Sequence, residues 1–194
     1  MLNQSTLSHN GVTLEPLTLS HTDDLIEACR DGELWKKVTT SVPTPVTVAD
    51  YINGAENMTD RVAFAVIDKR MGKAIGSTSY HDILPQARRL EIGYTWYAKS
   101  YWRSHVNTTC KLMLLTHAFE TLEYLTVGWR TDIENTQSQQ AIERIGAKKD
   151  GVIRGIKVRR NGKITDAVMY SMSKDEWPEH KIKLIEKLAN HERQ

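Results

Sequence analysis

Nothing in this chain constrains its fold more than residues 90–146, which read as strand, loop, helix, strand, loop, helix. Glu91-Ile92-Gly93-Tyr94-Thr95-Trp96-Tyr97 is rich in β-branched and aromatic residues and runs towards a polar loop at 102–109. That loop opens into an apolar helical run at 110–119. A second strand is expected over 125–131 and a second helix over 135–145, closed by Gly146. Two strands joined through a helix lie parallel, with a right-handed crossover. The start of the helix then presents free N–H groups and the positive end of its dipole beyond the first strand. A phosphate-bearing ligand suits that position.

The flanking segments complete the architecture. Residues 1–10 are polar and read as a loose tail. A strand is expected at 12–17 and a helix at 22–30, where Leu25, Ile26 and Cys29 recur at helical spacing. A short helical turn at 33–37 is broken by Pro43 and Pro45, each of which pushes its predecessor out of the helical region. A further helix is expected at 47–58, capped by Thr47. Residues 62–67 and 74–80 flank a turn and predict a hairpin. Residues 152–158 and 164–170 flank Asn161-Gly162, the strongest short hairpin signal in the chain. Ser173 and Glu176 make a capping box, and Ile182, Leu184, Ile185 and Leu188 outline a last amphipathic helix within 174–194. That helix can cover its own domain or a second copy in a homodimer. The order predicts one domain over all 194 residues. Its class is α/β in the α+β sense: a mixed sheet, largely antiparallel around a parallel central pair, with helices on both faces.

Composition removes several classes of function. A formal net charge of +2 is too small to argue for direct contact with nucleic acid. The longest apolar run, at 62–67, is far short of a membrane span. No secretory leader pattern occupies the first residues, and the two cysteines, Cys29 and Cys110, both fall in expected helices. Reduced thiols in a cytoplasm are the simplest reading. Neither HExxH nor any other His/Cys ligand spacing occurs, so no metal is expected.

Several landmarks then carry a resemblance: Glu-Ile-Gly-Tyr-Thr-Trp-Tyr at 91–97, Trp102 through Thr108, Thr131-Asp132-Ile133-Glu134-Asn135-Thr136-Gln137-Ser138, Ala141 to Ala147, the Asn-Gly hairpin, and Glu176-Trp177-Pro178. The chain resembles the GNAT acyl-CoA N-acetyltransferases, and within them the RimJ/RimL-like group related to ribosomal-protein N-acetyltransferases. The family's pyrophosphate loop has the form Gln/Arg-x-x-Gly-x-Gly/Ala. Laid on 102–107, all three marked positions differ, with His105 and Asn107 where the family has small residues. Glycine there lets backbone N–H groups approach a phosphate closely, and His105 reaches left-handed dihedrals only at some cost.

The resemblance implies a GNAT fold whose parallel central strands splay, and acetyl-CoA as co-substrate. It implies an amine acceptor, either a protein N-terminus or a small amine such as an amino acid, polyamine or aminonucleoside. Arg103, Ser104, His105, Val106, Asn107 and Thr108 would cradle the pyrophosphate. Thr95, Trp96 and Tyr97 would flank the thioester, and Asn135 and Ser138 the pantetheine arm. The tyrosine that protonates the leaving thiolate in many relatives corresponds here to Ile142, which cannot donate. Ser138 is therefore the leading candidate acid, with Tyr94 and Tyr97 behind it. Glu91 and His81 are the candidate bases, and a strand backbone N–H near Tyr97 would polarise the carbonyl. Tyr94 and Trp96 should share one face of the strand, and Thr95 and Tyr97 the other. His117 reads as a core histidine, and Trp35 as core or acceptor-pocket lining. Arg154, Lys157, Arg159, Arg160 and Lys163 read as a solvated basic edge or a receiver of acidic acceptors. The alternative to catalysis is a regulatory module that binds coenzyme A without turning it over.

Overall fold

Leu7–His9 (β1) and Val12–Pro16 (β2) fold back on each other through Asn10 and Gly11, both at positive φ, as a tight hairpin requires. Part of the expected tail is thus a strand. Residues 1–4 of it lie outside residues 5–192, which the computed structural model describes. Thr22–Arg30 forms α1 and Val48–Glu56 forms α2, close to the expected bounds. Val62–Asp68 (β3) and Lys73–Leu84 (β4) make the first predicted hairpin, and Arg89–Tyr97 (β5) continues the sheet. Val106–Thr116 (α3) leads through a wider turn of helix at His117–Thr121 to Thr126–Asp132 (β6). Thr136–Glu143 (α4), Lys148–Val158 (β7), Ile164–Ser173 (β8) and Trp177–Glu192 (α5) follow.

One eight-stranded sheet runs in the order β1-β2-β3-β4-β5-β6-β8-β7. Among its pairs only β5 with β6 is parallel, as the crossover predicts. Leu25, Cys29, Val48 and Ile52 of α1 and α2 form one core layer with Ala63, Ala65 and Trp96. On the opposite face, Cys110, Leu114 and Leu115 of α3, Ile142 of α4 and Leu184 and Leu188 of α5 pack with Leu90, Ile92, Val127 and Trp129. The last helix therefore covers its own domain. Trp177 Nε1 and Lys181 Nζ both donate to Glu120 Oε1, at 2.7 and 2.8 Å, which ties α5 to the end of the α3 segment. Gly146 closes α4 at φ +98°, and a Cβ there would lie 2.1 Å from the His180 ring of α5. Among the described residues no helix is long and apolar enough to cross a membrane.

Candidate active site

The site begins where the sheet comes apart. β5 and β6 pair only at Arg89–Thr126, Leu90–Val127 and Glu91–Gly128. Beyond Glu91 their C-terminal halves no longer pair, so β5 turns backbone groups towards an opening. On its other edge β5 carries one extra residue: Ser79 opposes Gly93, yet Ser77 opposes Trp96, and Tyr94 stands at φ +50°. This is a β-bulge, a device that re-aims side chains. Tyr94 and Trp96 point towards α2, where Tyr51 meets Trp96 edge-on at 6.5 Å and Arg61 lies 3.7 Å over the Tyr94 ring. Thr95 and Tyr97 point towards α3. The expected division of the four side chains holds. The bulge moves Tyr97 onto the face of Leu90 and Ile92, which strict alternation would have denied it.

The α3 helix starts earlier than expected, so Val106, Asn107 and Thr108 form its first turn rather than a loop. Ser104 Oγ accepts from the Val106 N–H at 3.3 Å and donates to the Tyr101 carbonyl at 2.7 Å. The Asn107 and Thr108 N–H groups find no acceptor among the described residues, as the opening turn of a helix leaves them. His105 is right-handed at φ −66°; the left-handed residue is Arg103, at φ +64° and exposed to solvent. The missing loop glycines are thus not needed for backbone conformation at His105 or Asn107.

On the same face, Asn135 Oδ1 accepts from the Ser138 N–H at 3.2 Å and so caps α4. The Ser138 hydroxyl is half-buried and has no hydrogen bond among the described residues. Tyr97 donates to Asn107 Oδ1 at 3.2 Å, and burial pushes its phenol well above the ordinary value. Cys110 behind it is buried and pushed up to about 12 by desolvation, which makes it no nucleophile. Three buried polar atoms lack partners among the described residues: Trp96 Nε1 on β5, Trp129 Nε1 on β6 and Thr109 Oγ1 on α3. Buried donors normally find acceptors, and these three sit on the elements that frame the opening. The free amides of Asn107 and Thr108 fit a diphosphate, whereas the three orphan atoms are closed to solvent and Trp96 Nε1 lies in the α1–α2 layer.

The opposite face of β5 carries charge. Glu91 is buried; its Oε2 accepts from Arg130 Nε at 2.8 Å and its Oε1 lies 3.8 Å from Arg89. Arg130 also reaches Asp82 Oδ2 at 2.6 Å, and Asp82 bonds His81 Nδ1. His81, Asp82 and Glu91 bring their ligand atoms within 4.8 Å of one another, but the Arg130 guanidinium already stands between the carboxylates where a cation would sit.

Lys111 is the residue that sequence reasoning passed over. It shares a helical stripe with Leu114, Leu115 and Ala118, and that spacing signals a buried cation. Its Nζ donates to Thr95 Oγ1 at 3.1 Å, and Thr95 in turn bonds Thr78 Oγ1 at 2.8 Å. Burial lowers its pKa to about 8. His117 is a core residue stacked on Tyr80, and Trp35 is half-buried beside the α1–α2 core. The basic hairpin is an exposed sheet edge, as expected, except at Arg159. Arg159 is buried on Asp132 at 2.8 Å and Glu134 at 2.8 Å, Arg160 donates to the Trp35 and Val42 carbonyls, Lys157 to Ser41, and Lys163 to Glu134.

This geometry has company. The family model described as an acetyltransferase (GNAT) domain matches residues 12–148. YdaF of Bacillus subtilis (strain 168), provisionally named a ribosomal N-acetyltransferase, is 37% identical over 107 residues. That match covers 55% of this chain and 57% of YdaF. A crystal structure of a GCN5-related N-acetyltransferase from Brucella melitensis superposes with a TM-score of 0.89 at 27% identity, covering 96% of this chain and 86% of that one. RimL, a ribosomal L7/L12 alpha-N-protein acetyltransferase solved with coenzyme A, shares the fold at a TM-score of 0.74 and 15% identity, covering 87% of this chain and 98% of that one. With the family model matched over most of its length and the fold shared with these enzymes, the chain belongs to the GNAT family of acetyltransferases.

Proposed function

We propose that this acetyltransferase moves the acetyl group of acetyl-CoA to a primary amine by direct attack in a ternary complex. The observation that carries the proposal is the parting of β5 and β6 beyond Glu91 and Gly128, beside the unpaired N–H groups of Asn107 and Thr108. Acetyl-CoA supplies an activated acyl group on a thiol leaving group. Arg103, Ser104, His105, Val106, Asn107 and Thr108 hold the diphosphate through amides, hydroxyls and one guanidinium. Asn135 and Ser138 stand beside the pantetheine arm. A backbone N–H of β5 near Tyr97, on the edge turned away from β4, polarises the thioester carbonyl. The Trp96 indole lies on the far face, in the α1–α2 layer. Ser138 faces the departing sulfur; Tyr97, committed to Asn107, stands in reserve.

A protein N-terminus is the favoured acceptor, supported by the names YdaF and RimL carry. A cytoplasmic location is supported by two buried, unpaired thiols, Cys29 and Cys110. Free-thiol release from acetyl-CoA, screened against short peptides and against amino acids, polyamines and aminonucleosides, tests the reaction and names the acceptor. Turnover with at least one amine, reduced about 10-fold or more in Ser138→Ala, is the expected result. Tight coenzyme binding with no turnover on any amine would favour the binding-module alternative.

A further inference from the structure

We infer that His81, oriented by Asp82, takes the proton from the acceptor amine, and that Glu91 is a positioning residue acting through Arg130. The inference rests on the acetyl-transfer reading above.

Three observations converge on His81. It is 6% exposed, with Nδ1 bonded to Asp82 and Nε2 without a partner among the described residues. Its ring lies across β5 directly on Gly93: a Cβ there would come within 2.2 Å of Nε2, so only glycine admits this placement. The residue after Gly93 is Tyr94, the left-handed residue of the bulge, and its ring meets the imidazole edge-on at 5.1 Å. Nε2 therefore lies over Gly93, within the stretch of β5 that has parted from β6.

The groups around the ring set its charge. Asp82 on β4, Glu91, Arg89 and Tyr94 on β5, Arg130 on β6 and Arg61 over Tyr94 all face it. Burial lowers His81 below its ordinary value and outweighs the raising influence of Asp82 and Glu91. Burial pushes Asp82 up, but His81 and Arg130 together hold it below the ordinary carboxylate value. At neutral pH the pair is a neutral imidazole and a carboxylate. Nδ1–H then donates to Asp82, and Nε2 keeps the lone pair that a general base needs. Glu91 has no such freedom, because Arg130 and Arg89 engage its oxygens. It holds Arg130, which holds Asp82, which holds the imidazole.

The free start of α3 and the Ser138 helix lie on the other face of the sheet. Coenzyme and amine thus reach the bulge from opposite sides. The ammonium gives one proton to His81 Nε2. Nitrogen then bonds the thioester carbonyl carbon as the C–S bond breaks. The second nitrogen proton goes to the departing sulfur, and His81 later releases the first to solvent.

The test is a pH–rate profile of kcat/KM with the best acceptor from the screen, for the wild type, His81→Gln and Asp82→Asn. Coenzyme affinity and Tm are measured alongside. The wild type should lose activity on acidification with an apparent pKa below about 6.5. His81→Gln should fall about 100-fold at neutral pH, bind coenzyme normally and lose that acid limb. Asp82→Asn should fall less and shift the limb. Added imidazole should restore part of the rate in His81→Ala. A wild-type rate and profile in His81→Gln would overturn the inference alone. If His81→Gln does not fold, an unmoved acid limb in Asp82→Asn does the same. A wild type that binds coenzyme but acetylates no amine overturns acetyl transfer, and the assignment with it.

Discussion

Lys111 enters the core with no carboxylate within reach among the described residues; its one acceptor is Thr95 Oγ1. The drop from 10.5 to about 8 corresponds to about 3 kcal/mol against the charged form. Between those values the unfolded chain keeps a proton that the folded one has lost, so stability rises with pH across that window. Lys111→Met should therefore raise Tm at pH 7, and its advantage should shrink steadily from pH 8 to pH 10.5. A difference constant with pH in thermal scans would refute this. Sequence could place Lys111 on a buried stripe but could not say what its ammonium meets, because Thr95 reaches α3 only through the bulge. The same bulge explains why Tyr97 joins Leu90 and Ile92. One left-handed residue, Tyr94, resets the phase of the strand, and nothing in a tyrosine announces it. His81 and Asp82 are neighbours in sequence, yet their value as a pair depends on Gly93 beneath the ring, a cross-strand contact that pattern cannot supply.

Among the elements, the hairpin of β7 and β8 was the most readable, because Asn161-Gly162 supplies the left-handed turn, with Gly162 at φ +78°. Its charges were the least readable. A run of basic residues on an edge suggests solvent, but Arg159 folds under the hairpin onto Asp132 at the end of β6. Burial pushes the Asp132 carboxyl up, and the hydrogen bonds from Arg159 and the Glu134 N–H more than offset it, leaving it below its ordinary value. A carboxylate so depressed contributes stability above about pH 4 and loses it as pH falls towards the folded-state value. Asp132→Asn leaves buried Arg159 with the exposed Glu134 as its one remaining carboxylate and should lower Tm by several degrees at pH 7, with the gap closing in acid. Equal melting temperatures at pH 7 would show that the bridge contributes nothing. The hairpin also holds the segment around Trp35 and Val42 through Arg160, so loss of the bridge should loosen that segment as well.

For the molecule as a whole, the crossover between β5 and β6 was legible, because a strand followed by an amphipathic helix and another strand admits one handedness. The place of β8 between β6 and β7 was not. A hairpin signal joins two strands but does not say which of them pairs with the rest of the sheet. The two core layers were foreseeable as helices on both faces, whereas the seam between them, where β5 and β6 separate, was an implication of family likeness rather than of spacing. The free amides of α3 and the His81–Asp82 pair stand on opposite sides of that seam, in different layers. A donor lodged on one side leaves the door on the other side free, so neither reactant needs to depart before its fellow arrives. Double-reciprocal plots should therefore intersect, and isotope should not pass between free coenzyme A and its acetylated form until an amine is added. Parallel lines, or label exchange with the amine withheld, would point to a waystation on the protein itself, for which a thiol as deeply shielded as Cys110 offers no berth.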